Sequence, residues 1–327
     1  MRMRRITAES GIYHCMSRTV NGESLFKERE MEVLRKMLHQ VSDFSGVEVL
    51  TYCLMNNHFH VLVRVPSVDS IDDAELIRRY RVLYPKPTPY QSATAEKMFR
   101  ELKSDGPDAE AIRTKLFARM GDVSAFMKTL KQRFSTWFNK THERFGPLWS
   151  GRFKSVLVEG KGNALQTMAA YIDLNPVRAG LVDDPKEYRF CGYAEAVSGR
   201  KKAVHTLKFL TAGLYKISTA DALQSYRCIL FGKGSKPVSG ASQFERAKAV
   251  HVLENEQGSL PLAVLLRCRI RYFSEGAVLG SHEFVKSQLE NWQRSTGRKH
   301  RPKPCCIPTE ASEPLAVLKD VRGHAYS

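Results

Sequence analysis

His58 and His60 stand one residue apart in the run His58-Phe-His-Val-Leu-Val-Arg-Val65. In an extended strand, side chains at i and i+2 leave the same face, so both imidazoles can reach one cation. Two histidines on the half-exposed face of a strand is the plainer account of that spacing, and the pair gains meaning only beside other groups. Tyr171 and Asn175 lie four apart in a helical stretch that ends or kinks at Pro176, and so share a face. A tyrosine hydroxyl, with an ordinary pKa of about 10, attacks poorly until a metal neutralises the phosphate beside it. The Asn175 amide oxygen can join two imidazole nitrogens as a third donor. Such a set, with open positions for phosphate and water, suits magnesium or manganese, and zinc can also occupy it. Periodicity by itself reads Tyr171 as a core aromatic.

Positioning these groups requires a sheet and at least one helix. Ile12 to Val20 is rich in β-formers and ends at the turn dipeptide Asn21-Gly22. Met31, Leu34, Leu38 and Val41 repeat at the spacing of one helix face within 28–44. Val47 to Met55 and His58 to Val65 read as a hairpin about Asn56-Asn57, residues that tolerate the positive φ of a tight turn. Residues 67–121 are more polar and read as a helical insertion. A firmer helix follows the N-cap residue Asp122, with Val123, Phe126, Met127, Leu130, Phe134, Trp137 and Phe138 as its apolar stripe. A short strand, Val156-Leu-Val158, and the helix from about Asn163 to Asn175 complete a β-α-β-β-α-β-α order. That order predicts an α+β fold: a ferredoxin-like antiparallel sheet with helices on one face. The core so read spans 1–200. Residues 205–296 read as a helical C-terminal region, with a helix opened by Ser218-x-x-Asp221 and stopped at Gly232, and further helical pattern at 240–255, 259–273 and 281–294. The tail 297–327, with its basic run Arg298-Lys-His-Arg301, shows no periodicity and reads as disordered.

The 327 residues carry 51 Lys and Arg against 34 Asp and Glu, a formal net charge of +17. A polyanionic partner accounts for that excess, since each neutralised phosphate releases counterions. The seven cysteines are irregularly spaced, with no Cys-x-x-Cys pair, which argues against a disulfide framework or a zinc ribbon. No apolar run reaches membrane-spanning length and the basic N-terminus leads into polar residues, so the expected setting is cytoplasmic, in association with the nucleoid. No Gly-x-x-x-x-Gly-Lys-[Ser/Thr] phosphate loop occurs.

Four blocks in order carry a family resemblance. Gly11-Ile-Tyr-His14 followed by Arg18, Met55-Asn-Asn-His-Phe-His-Val-Leu-Val63, Leu148-Trp-Ser-Gly-Arg-Phe-Lys-Ser155 and Tyr171-Ile-Asp-Leu-Asn-Pro-Val-Arg-Ala-Gly-Leu-Val182 resemble the signature blocks of the REP-associated tyrosine transposases. These are single-tyrosine, IS200-like members of the HUH endonuclease superfamily. The resemblance implies that His58 and His60 are the paired metal ligands, that Asn175 completes the metal site, and that Tyr171 is the catalytic nucleophile. It implies cleavage and rejoining of single-stranded or hairpin DNA through a 5′-phosphotyrosine, with Mg or Mn as cofactor. Two departures stand out: Asn56 replaces the family's usual proline, and Tyr188 is followed by Arg-Phe-Cys-Gly192 rather than Pro-Trp-Ser-Ser.

Residues 126–154 interleave aromatics with bases, as single-strand binders do, although Phe134, Trp137 and Phe138 fall on the apolar stripe and are better read as core. Arg18, Arg152, Lys154 and Arg178 are the candidate DNA contacts. Ser259 to Phe273 and Ser281 to Trp292, separated by a turn, have the outline of a helix-turn-helix; a structural appendage is the competing account. Three functions remain in view: an active single-strand transposase, a domesticated binder of hairpin or repeat DNA, and a metal-dependent RNA-processing phosphoesterase that uses water. The oligomeric state, monomer or dimer, is left open.

Overall fold

A computed structural model describes residues 10–66, 71–104, 106–212, 216–232, 251, 260–297, 303–307 and 314–318. Strand β1 (Gly11–Arg18) leads through the Asn21-Gly22 turn, with φ 54° and 72°, to helix α1 (Glu28–Ser45). The hairpin β2 (Glu48–Leu54) and β3 (His58–Val65) follows. The insertion forms three helices, α2 (Asp73–Leu83), α3 (Pro89–Leu102) and α4 (Pro107–Phe117). Helix α5 (Val123–Thr141) starts where expected, with the Asp122 side chain accepting from the Ala125 amide. Strand β4 (Lys154–Val158) precedes α6 (Gly162–Asp173), and Pro176 sits in the first turn of a separate short helix, α7 (Asn175–Arg178).

The first four strands pair in the order β2-β3-β1-β4, all antiparallel, as the ferredoxin-like reading requires. The covering of the sheet differs from the expected single helical face. Tyr13, Cys15, Phe59, Val61 and Val63 pack with α1 and α5, whereas Ile12, Leu62, Val156 and Val158 pack with α6 on the opposite face. The runs Val61-Leu-Val63 and Val156-Leu-Val158 are apolar at every position, so both faces need a cover. The hairpin turn also differs. Among the described residues only Asn21 and Glu143 are non-glycines with positive φ, so Asn56 and Asn57 turn without it. Outside bonds hold that turn: the Phe26 amide donates to the Asn56 carbonyl (2.8 Å) and the Thr19 amide to the Asn57 carbonyl (2.9 Å).

Beyond residue 190 lie α8 (Gly192–Val197), α9 (Lys201–Ala212) and α10 (Thr219–Phe231), the last capped by Ser218 and stopped at Gly232 as expected. The remainder corrects the helical reading of the C-terminal region. Two four-residue helices, α11 (Leu262–Leu265) and α12 (Tyr272–Glu275), lead to β5 (Val278–Gly280), which pairs parallel with β4. After α13 (His282–Thr296), strands β6 (Pro304–Cys306) and β7 (Ala316–Leu318) complete a seven-stranded sheet in the order β2-β3-β1-β4-β5-β7-β6. A buried strand between α12 and α13 excludes the helix-turn-helix, and residues 304–306 and 316–318 are sheet where a featureless tail was expected. The gain is physical: without β5 the β4 edge would present unpaired amides. The patterns at 240–255 (except His251) and 298–301, and the start at Ser259, fall outside the described residues. Among the described residues, no helix is long and apolar enough to cross a membrane. None of the seven cysteines is in a disulfide.

One buried carboxylate ties α6 to its surroundings. Asp173 accepts from Thr51 Oγ1 in β2 (2.8 Å), the Tyr193 amide in α8 (3.2 Å) and Tyr226 Oη in α10 (2.6 Å). The approach is close: a Cβ on Gly192 would fall 2.2 Å from Thr51 Oγ1, so glycine is required there. Burial pushes the Asp173 carboxyl up to about 7, against the pull of those three hydrogen bonds. Asp173→Ala strands two buried hydroxyls and is expected to cost about 3 kcal/mol of unfolding free energy in urea titrations. With the folded pKa raised, this group's contribution is fullest below the unfolded value of 3.8 and is lost as pH rises through about 7. Asp173→Asn lacks that loss, so its stability relative to wild type should climb between pH 4 and pH 8.

Candidate active site

Alternation along β3 sends His58, His60 and Leu62 to the α6 face of the sheet. The His58 and His60 rings sit 5.1 Å apart, nearly perpendicular. Helix α6 brings Tyr171 over the same patch, with its ring 6.4 Å from His60 and 6.5 Å from His14 of β1. Residues separated by more than 100 positions therefore converge, an arrangement that the family resemblance implied and that spacing alone did not. Asn175 follows one turn after Tyr171. Its Nδ2 donates to the carbonyls of Ile172 (3.0 Å) and Tyr171 (3.3 Å), which makes the oxygen the end that can accept.

The imidazoles are held by polar partners. His58 Nδ1 lies 2.6 Å from Asn57 Oδ1, and His60 Nδ1 lies 2.8 Å from His14 Nε2. His14 Nδ1 in turn donates to the carbonyl of Phe273 in α12 (2.5 Å). Burial lowers all three histidines: His14 to about 4, His58 to about 3, and His60 well below the usual range. The positive charges of Arg18, Arg269 and Arg178 add to the effect on His58. All three rings are therefore neutral at pH 7, the form that ligates metal. The two imidazoles, with their Nδ1 atoms engaged, would offer a divalent cation two Nε2 donors, and the Asn175 oxygen is the third donor expected from the sequence. Among the described residues, no cluster of three His, Cys, Asp or Glu offers an alternative. The surrounding arginines oppose a bare cation and favour one that arrives with a phosphate.

The expected DNA contacts divide. Arg18 pairs across the strands with His58 and acts on it electrostatically. Arg178 serves the tyrosine: its guanidinium lies 3.9 Å from the Tyr171 ring centroid and donates to the carbonyls of Tyr171 (2.6 Å) and Leu266 (2.9 Å). Lys154 is engaged with Glu275 at 2.9 Å, whereas Arg152 is exposed in the loop before β4. Phe134 and Phe138 are buried, in keeping with their stripe. Sequence reasoning missed His14, Phe273 and Arg269. His14 had a signal, because alternation from Ile12 puts it on the histidine face; the other two had none.

The chain's first part, residues 7–81, matches the model of the family described as Transposase IS200 like, a stretch that contains β1, α1 and the histidine pair. Those residues are similar to the IS200-like transposases over that stretch. A solved structure of a REP-associated tyrosine transposase bound to a REP hairpin is similar at 15% identity and a TM-score of 0.40, over 61% of this chain and 86% of that one. No curated protein matches. The IS200-like segment thus supplies the histidines, whereas Tyr171, Asn175 and the C-terminal cover of the site come from beyond it.

Proposed function

We propose that this chain is a metal-dependent transposase or nickase that cuts and rejoins single-stranded DNA through a 5′-phosphotyrosine on Tyr171. The observation that carries the reading is the convergence of Tyr171 on the His58–His60 pair, in a chain whose residues 7–81 match the IS200-like transposase model. A divalent metal, Mg or Mn, held by His58, His60 and Asn175 would neutralise phosphate charge. The Tyr171 oxygen attacks phosphorus, the bond from phosphorus to the 3′ oxygen breaks, and the tyrosine proton is lost to solvent while the departing 3′ oxygen takes one up. The new ester conserves the energy of the old one, so reversal rejoins the strand. Arg178, stacked on the Tyr171 ring, favours the developing phenolate and orients it.

The net charge of +17 and the transposase family support a DNA partner. In the basic loop after α5, Phe145 is 94% exposed and stands beside Arg144, an arrangement that suits stacking on an unpaired base. Phe145→Ala is expected to weaken single-stranded DNA binding about tenfold in fluorescence anisotropy while duplex binding stays constant.

One observation favours a second reading, a non-cleaving binder of hairpin or repeat DNA. Tyr171 is only 3% exposed, covered by Phe273 at 4.9 Å, so DNA reaches it only when residues 262–275 shift. Incubation with end-labelled single-stranded DNA and Mn²⁺ separates the readings on a denaturing gel. A cut with a protein-linked 5′ end supports the transposase. A cut without linkage indicates water as nucleophile and the phosphoesterase reading, and binding without either indicates the binder.

A further inference from the structure

Two polar chains end on the Nδ1 atoms of the histidine pair, and each starts at a backbone carbonyl. In the first, the Gly22 carbonyl accepts from Asn57 Nδ2 (2.9 Å). That bond settles which end of the amide faces His58, so the Asn57 oxygen accepts from His58 Nδ1. In the second, the Phe273 carbonyl has no proton to give, so His14 Nδ1 must donate. His14 is 1% exposed and sits between a carbonyl and a second imidazole, where a buried ring carries a single proton, so His14 Nε2 is an acceptor. The ring nitrogen 2.8 Å away, His60 Nδ1, must then be the donor, and His60 Nε2 is left with its lone pair. The His14 and His60 rings are 5.0 Å apart and within 19° of parallel, and both are buried. The strands dictate this contact: His14 lies opposite Leu62, and His60 is the diagonal neighbour two residues away on the same face.

We propose that His14 is a positioning residue for the metal site: anchored by the Phe273 carbonyl, it holds His60 in the tautomer whose Nε2 can ligate a divalent cation. The inference rests on the reading of His58 and His60 as metal ligands. It also gives the C-terminal segment a role that the IS200-like stretch cannot supply, because the anchor lies almost 200 residues beyond that stretch's end. His14 is not itself a ligand; it acts through His60.

The test uses the full-length, metal-free protein labelled with ¹⁵N-histidine, together with calorimetric titration of Mn²⁺. In the wild type, long-range ¹H–¹⁵N spectra should show both His58 and His60 protonated on Nδ1. His14→Leu removes the acceptor and should move His60 towards the Nε2-protonated form, with Mn²⁺ affinity reduced about 10–100-fold. His14→Gln can accept from His60 through its oxygen and donate to Phe273 through its nitrogen, so it should keep most of the affinity and the Nδ1 tautomer. Wild-type affinity and tautomer in folded His14→Leu would overturn the proposal. If His14→Leu does not fold, the wild-type spectrum decides, since an Nε2-protonated His60 there is incompatible with the chain of donors. A wild type that binds no Mn²⁺ yet shows His60 protonated on Nδ1 would sink the metal reading while leaving the His14 contact standing.

Discussion

Tyr171→Phe should lose all DNA cleavage and all covalent adduct, a fall of at least about a thousandfold, while its affinity for single-stranded DNA stays at the wild-type level. The substitution deletes one oxygen. The ring keeps its edge contact with Phe273 and its place beneath the Arg178 guanidinium, so neither folding nor the approach of DNA has reason to change. The expected pattern is therefore a separation: the chemical step disappears and binding remains. An equal loss of both would mean that Tyr171 is a core aromatic whose hydroxyl matters for packing, which is the plainer meaning of its place on an apolar helix face.

The second large effect concerns the histidines. His58→Ala and His60→Ala should each weaken Mn²⁺ binding by at least about a hundredfold and reduce cleavage by at least that factor at limiting metal. Both rings have Nδ1 engaged, so each has Nε2 to offer, and on the proposed reading each loss removes one ligand. The two variants differ in stability. His60 is buried among β1, β3 and α6, and its loss leaves a void that should lower the unfolding free energy by about 1–2 kcal/mol, whereas half-buried His58 should cost less. Calorimetry with Mn²⁺ and gel-based cleavage on the same preparations check both parts. Cleavage at wild-type rates in either variant would contradict the metal site.

Local periods grouped the candidate residues in pairs, and the family resemblance joined those pairs into one candidate site. The two-residue repeat places His58 and His60 on one face, and the i, i+4 spacing places Tyr171 and Asn175 on one side of the chain before Pro176. The hairpin, the helix after Asp122 and the strand order of the core follow from the same periods. What was missed depends on register between distant strands or on segments too short to show a period. His14 reaches His60 only because β1 pairs with β3 in one particular register. Phe273 and Arg269 belong to a stretch whose four-residue helices and three-residue strand lie below the span at which alternation can be counted. That stretch reads as helix because Leu262 to Leu266 is apolar, yet β4's open edge recruits Val278 and Leu279 as a strand. The covering of both sheet faces could have been anticipated from the unbroken apolar runs in β3 and β4. The turn at Asn56-Asn57 could not, since the bonds that hold it come from Phe26 and Thr19.

Those corrections bear on function. The C-terminal residues extend the core sheet, cover the tyrosine and anchor His14. Arg178 and Lys154, expected at phosphates, are engaged with Tyr171 and Glu275. If DNA entry displaces residues 262–275, Lys154 loses its Glu275 partner as the tyrosine is uncovered, while Arg178 keeps its bond to the Tyr171 carbonyl.

The most direct measurement is mass spectrometry of the trapped adduct. After reaction of the full chain with single-stranded DNA and Mn²⁺, nuclease trimming and tryptic digestion, peptide 162–178 should carry a 5′-linked nucleotide, with fragmentation placing the phosphate on Tyr171. A nucleotide on any other residue, or DNA cut with peptide 162–178 unmodified, would contradict it.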